Sequence, residues 1–136
     1  MARTVLADTG FLVALLSRRD RYRQWATAQA AQLAHPWMTC DAVLSETFHL
    51  LGPRGALPLA ELLRRHVLAP AFDLRAHLEA VLAVMDKYAD TPMSLADGCL
   101  VRMSEILADP IVLTTDAHFG LYRRHSRQVI PYLAPW

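Results

Sequence analysis

The stretch Thr4-Val5-Leu6-Ala7-Asp8-Thr9-Gly10-Phe11-Leu12 decides how the chain folds. Its first four residues form a short run that is apolar on both faces and ends in turn and cap residues. That is the pattern of a parallel strand buried on both sides, which has no solvent face to alternate toward. Phe11, Leu12, Leu15 and Leu16 then recur at helical spacing, so a helix follows the strand directly. Ile111-Val112-Leu113-Thr114 repeats the strand signal far along the chain. Trp37-Met38-Thr39 and Ala71-Phe72-Asp73-Leu74 read as shorter strands, and Val129-Ile130 as a last edge strand.

Helical segments fill the intervals. An Ala- and Gln-rich helix is expected over about Arg21 to Ala34, broken by Pro36. A helix over Asp41 to Leu51 carries the stripe Val43, Leu44, Thr47, Phe48 and Leu51 and ends at Gly52-Pro53. Residues 56–68 and 75–88 read as helical, and Ser94 opens a helix with Ala96, Cys99, Leu100, Met103, Ile106 and Leu107 on one face. Parallel strands need crossovers, and helices supply them. The expected class is α/β, a single-domain α/β/α sandwich over residues 1–136 with a mostly parallel sheet of 4–5 strands. No repeat or linker interrupts it.

Composition narrows the function classes. The chain has 136 residues, 54% of them hydrophobic, which suits one buried core. Its net charge is only +1, so any surface for nucleic acid must be local rather than global. Thirteen of its 14 basic residues are Arg, with Lys87 the exception. That excess favours bidentate contacts to phosphate or carboxylate, and codon bias would produce the same excess. Cys40 and Cys99 form no C-x-x-C motif and no disulfide framework, which fits a reducing cytoplasm. The apolar run Phe11 to Leu16 is too short to span a membrane, so no membrane association is expected.

Four acids stand where an open parallel sheet gathers ligands, outside the carboxyl ends of its strands or on the adjoining helices: Asp8, Glu46, Asp97 and Asp116. Each also has a local explanation. Asp8 or Thr9 serves as an N-cap, as does Asp116 after Thr114-Thr115. Asp97 completes a Ser94-x-x-Asp97 capping box, and Glu46 fits a solvated helix face near His49. Asp90, before Thr91-Pro92, reads as a loop cap. The histidines, His118 included, show no metal-ligand spacing.

Taken together, Leu6-Ala7-Asp8-Thr9-Gly10-Phe11-Leu12-Val13-Ala14-Leu15, Val43-Leu44-Ser45-Glu46-Thr47, Ser94-Leu95-Ala96-Asp97 and Leu113-Thr114-Thr115-Asp116-x-x-Phe119 resemble, in order, the four motifs of the PIN-domain family. Gly98 and Arg102-Met103 depart from the small helix formers usual after the third acid. The resemblance implies a metal-dependent endoribonuclease in which Asp8, Glu46, Asp97 and Asp116 hold Mg²⁺ (or Mn²⁺). Clustered carboxylates stay ionised together only when cations neutralise them, and hard divalent metals suit oxygen donors. By the same resemblance Thr9 and Thr115 orient the acids, and Asp8 and Asp97 are direct ligands.

RNA contact falls to two Arg clusters, Arg18, Arg19, Arg21 and Arg23, and Arg123, Arg124 and Arg127, although charge runs are commonly just solvated faces. A small PIN chain also resembles VapC-type toxins of toxin–antitoxin systems, which implies a cognate antitoxin protein and a homodimer. Phe11, Tyr22 and Trp25 are candidates for the contact surface, with core packing as their simplest reading. The competing class is a PIN fold that binds RNA or protein without cutting. Asp8-Thr9-Gly10 also spells the aspartic-protease tripeptide, but the helix after it does not suit that β-rich scaffold.

Overall fold

A computed structural model describes residues 3–136. Strand β1 (Thr4–Ala7) runs into α1 (Thr9–Leu16) and α2 (Arg23–Gln32), then β2 (Trp37–Thr39), α3 (Asp41–Arg64) and β3 (Leu68–Pro70). After a 3₁₀ turn at Leu74–His77 come α4 (Leu78–Lys87), α5 (Leu95–Ile106) and β4 (Pro110–Leu113). A second 3₁₀ turn (Ala117–Gly120), the short strands β5 (Arg123–Arg124) and β6 (Gln128–Val129), and β7 (Tyr132–Leu133) complete the order. The sheet is parallel throughout, in the order β3-β2-β1-β4-β7, and is flanked by helices.

The central pair sets the geometry of everything else. β1 pairs with β4 from Thr4↔Pro110 to Ala7↔Leu113, so the residues just beyond, Asp8 and Thr114, leave the sheet side by side. Burial explains why these strands carry no polar alternation: Leu6, Ala7, Val112 and Leu113 are fully enclosed. Leu12, Leu100, Met103, Phe119 and Tyr122 close over them. Each such large side chain contributes about 1.5–3 kcal/mol when removed from water. Phe11 is fully buried, edge-on to Trp25 at 6.0 Å and Trp37 at 5.3 Å, so it ties α1 to α2 and β2 rather than facing a partner. Cys40 and Cys99 are free thiols within the core. Among the described residues no helix is long and apolar enough to cross a membrane.

Three expectations are corrected. The third strand is Leu68–Pro70, not Ala71–Leu74, and the helix expected over 56–68 ends at Arg64. His66, at φ 59°, closes it: His66 N–H donates to Leu63 O at 3.2 Å and Val67 N–H to Leu62 O at 3.0 Å, the paired bonds of a left-handed helix stop. That frees Leu68 to enter the sheet, while Asp73 accepts from Arg75 N–H and turns Leu74–His77 into a 3₁₀ turn. At the far edge Val129 pairs antiparallel with Arg123 in a small hairpin, and the edge strand of the main sheet is Tyr132–Leu133.

The helix that carries Glu46 does end at Gly52-Pro53, as expected, and α3 is two helices joined across a kink there. Gly52 adopts φ 69° and ψ −169°, a conformation open almost only to glycine, and the chain bends there and resumes as helix with Pro53 in its first turn. The helix therefore has two arms, one carrying Glu46 and the other Arg54.

Candidate active site

Asp8 sits where β1 gives way to α1, with extended backbone dihedrals and its carboxylate turned back on the helix it caps. Its Oδ1 accepts from Thr9 N–H at 2.7 Å and its Oδ2 from the Thr114 hydroxyl at 2.7 Å. Thr114 Oγ1 in turn accepts from Asp116 N–H at 2.9 Å, so one hydroxyl positions two acids. Asp116 caps the following 3₁₀ turn through His118 N–H at 2.9 Å, and His118 Nδ1 lies 2.6 Å from the same Oδ1.

Asp97 occupies the third position of α5. The capping box forms in full: Asp97 N–H donates to Ser94 Oγ at 3.1 Å and Ser94 N–H to Asp97 Oδ2 at 3.2 Å. The Tyr122 hydroxyl also donates to Oδ2, at 3.2 Å. Capping and convergence are compatible, since Asp97 and Asp116 each cap through one oxygen and leave the other open, while Asp8 has both oxygens engaged. Glu46 is exposed on the first arm of α3 and has no hydrogen bond among the described residues.

All four acids line one cleft of about 440 Å³, together with Thr9 and Thr115. Asp20 lines it as well, an acid that sequence reasoning missed because it lies among arginines that read as a solvated charge run. Asp90 is exposed in a turn outside that lining. The hydroxyl that holds the acids is Thr114's, while Thr115 contributes to the wall. Thr9 Oγ1 is buried without a hydrogen-bond partner among the described residues.

The electrostatics follow from burial. Asp8 is only 6% exposed, and desolvation, reinforced by the negative charges of Asp97 and Asp116, pushes its carboxyl up to about 7 against the pull of Thr114 and Thr9. Asp97 is raised too, first by burial and then by Asp116, with the Ser94 and Tyr122 bonds opposing. Burial and the adjacent Asp97 push the Tyr122 hydroxyl upward, so it stays a donor. Among the described residues no Lys or Arg pairs with Asp8, Glu46, Asp97 or Asp116, and His118 is the one basic side chain bonded to any of them. No ion pair with Lys or Arg among the described residues offsets the cleft's negative charge.

A hard cation fits this donor set. Asp97 Oδ1, Asp116 Oδ2 and both Glu46 oxygens have no hydrogen bond among the described residues. As placed, no three His, Cys, Asp or Glu side chains among those residues enclose an ion by themselves. Mg²⁺ asks for less, because it keeps several waters and binds through one or two carboxylates and substrate phosphates.

The arginines divide. Arg123 spends its guanidinium on the carbonyls of Gly120, Leu121 and Tyr122 at 2.9–3.2 Å, and Arg124 Nε is buried. Arg18 and Arg19 are exposed and line a second groove, of about 680 Å³, between the end of α1 and the second arm of α3.

Compared with protein families, the chain matches the PIN domain over residues 5–124, most of its length and all four acids. No curated protein matches it significantly. The chain belongs to the PIN-domain family, a nuclease fold family.

Proposed function

We propose that this PIN-domain chain is an endoribonuclease that hydrolyses RNA phosphodiester bonds with Mg²⁺ (or Mn²⁺) held by Asp8, Glu46, Asp97 and Asp116. The observation that supports this most is the convergence of the four acids on one cleft with no Arg or Lys ion pair among the described residues, two of them buried and raised in pKa. Three of the acids also cap their elements, but caps supply only amide and hydroxyl donors and leave the charges unneutralised. Acids left to repel one another in one cleft suit a cation and a phosphate.

In this reading Asp8 and Asp97 are direct ligands, held by Thr114 and by Ser94 and Tyr122. Glu46 and Asp116 complete the set or bind water on the ion. When bound, the cation supplies positive charge beside the phosphoryl group and acidifies water. Thr114 fixes the distance between the Asp8 and Asp116 anchors, and the capping box keeps Asp97 from rotating away.

The narrower reading makes the chain, as one domain over residues 1–136, the cytoplasmic toxin of a type II toxin–antitoxin pair. A cognate antitoxin is then its partner and a homodimer its working form. The order and spacing of its four motifs, similar to VapC-type toxins, support that. Growth arrest on expression, relieved by a co-expressed protein from the same operon, is the test.

The deciding experiment incubates wild-type protein and Asp8→Asn with single-stranded and structured RNA in Mg²⁺, Mn²⁺ and EDTA. Cleavage that requires the metal and is lost in the folded variant is expected. A folded wild type that cuts no RNA in either metal would leave the PIN fold as a binding module.

A further inference from the structure

The groove beside the carboxylate cleft is built from two elements that the active site has already positioned. Its lining combines apolar Leu16, Leu51 and Pro58 with three guanidinium groups, Arg18, Arg19 and Arg54. Among the described residues none of these three forms an ion pair or a side-chain hydrogen bond; the ion-paired arginines are Arg3, Arg64, Arg65 and Arg102. Three exposed, uncompensated arginines around one concavity are a positive site in a chain whose net charge is only +1.

The groove adjoins the cleft. Leu50 lines both, and it stands one helical turn, about 6 Å, beyond Glu46. The α1 side repeats the relation: Val13 faces the cleft, and Leu16 to Arg19 face the groove. The bend at Gly52 is what turns Arg54 and Pro58 toward the end of α1.

We propose that this groove is a binding site for the sugar-phosphate backbone of single-stranded RNA, carrying the strand away from the carboxylate cleft over Leu50, with Arg18, Arg19 and Arg54 on consecutive phosphates. The proposal rests on the RNA reading above and adds to it the path of the strand and a residue, Arg54, that the motifs do not mark. Charge complementarity selects the occupant, because guanidinium forks bind phosphate in bidentate fashion. Among the described residues no aromatic side chain lines the groove, so bases find no stacking platform there and the grip is independent of sequence.

The test measures binding separately from cutting. Fluorescein-labelled single-stranded RNA is titrated in EDTA against wild type, against the triple variant Arg18→Ala, Arg19→Ala, Arg54→Ala, and against the control Arg64→Ala, Arg65→Ala, which removes two arginines paired with Glu61 on the same helix. Circular dichroism checks each fold. The triple variant is expected to weaken binding at least tenfold for RNAs of different sequence. Its salt dependence should flatten by about two in log–log slope, since each lost phosphate contact on a single strand removes about 0.7. The control should match wild type.

Equal affinity of the folded triple variant and wild type overturns the proposal, as does a poly-glutamate peptide that displaces RNA from the groove at lower concentration than RNA itself competes. A wild type that binds RNA through these arginines but never cuts it in Mg²⁺ or Mn²⁺ upholds the groove and removes the nuclease reading. Cleavage by a wild type whose RNA affinity ignores the arginines does the reverse.

Discussion

The hydroxyl of Thr114 donates to Asp8 Oδ2 at 2.7 Å across 106 residues of sequence, and the same oxygen accepts from Asp116 N–H. Thr114→Val removes both bonds and keeps the shape. Hydrogen bonds to charged groups are worth about 1.5–3 kcal/mol each, so chemical denaturation should show a loss of that order. Mn²⁺ affinity by calorimetry should fall about tenfold or more, as for other residues that orient metal ligands. Thr114→Ser should restore both. Unchanged Mn²⁺ binding in the valine variant would remove Thr114 from the site.

Asp8 imposes a pH dependence whose sign follows from burial. Its carboxyl is raised to about 7 in the fold from 3.8 in the unfolded chain, so the folded state binds the extra proton between those values. Metal-free stability contributed by this group is complete below the unfolded pKa and is lost as pH rises toward and through 7. The full swing is on the order of 4 kcal/mol. Thermal melts in EDTA should show a falling Tm from about pH 4 to about pH 8. Asp8→Asn should flatten that fall, and Mg²⁺ should raise the wild-type Tm most at the alkaline end.

Tyr122→Phe removes one bond to Asp97 Oδ2 and leaves the Ser94 bonds in place. The expected cost in stability is about 0.5–1.5 kcal/mol. The larger effect should be on metal affinity, weaker by about tenfold, measured by Mn²⁺ electron paramagnetic resonance. A variant with lowered Tm and wild-type Mn²⁺ affinity would make Tyr122 a packing residue only.

Gly10 lies against the loop after β4: a Cβ there would collide with Thr115 Oγ1 and stand 3.1 Å from Thr115 Cβ and 3.3 Å from its backbone nitrogen. Gly10→Ala should cost about 1–3 kcal/mol, the range for overpacking, and displace Thr115 from the cleft wall. A Tm equal to wild type would contradict that contact.

Gly52→Ala tests the bend. Space is open around Gly52, so only the backbone objects, at φ 69° and ψ −169°. Holding alanine there costs about 1–3 kcal/mol. A relaxed, straighter α3 should move Arg54 away from Arg18 and Arg19, which RNA affinity would report as a loss beyond the change in Tm.

The fold was legible where burial leaves a long apolar trace. β1 and β4 are enclosed on both faces and are read directly from Val5-Leu6-Ala7 and Ile111-Val112-Leu113. β3 and β7 were not: two or three residues carry no periodicity, and neither is bracketed as β2 is, between Pro36 and the helix that starts at Asp41. The stop that precedes β3 uses His66 in the left-handed region where a glycine would have announced it. The four acids were legible through motif order, and the structure gathers them on one cleft. Thr114 was not separable from Thr115, since neighbouring positions differ only in which face they present, and Asp20 was hidden among arginines. Arg54 becomes visible only through the bend at Gly52.

The pairing of β1 with β4 also governs when the cleft exists. Asp8 leaves the ribosome before Thr114, which follows it 106 positions later, an interval of roughly 5–20 s at ordinary rates of synthesis. Until then β1 lacks its central neighbour, Asp8 its hydroxyl, Asp97 the Tyr122 bond, and Asp116 has not been made. Throughout that interval the nascent chain is unable to assemble what β1 and Asp8 begin, a delay written into strand order alone.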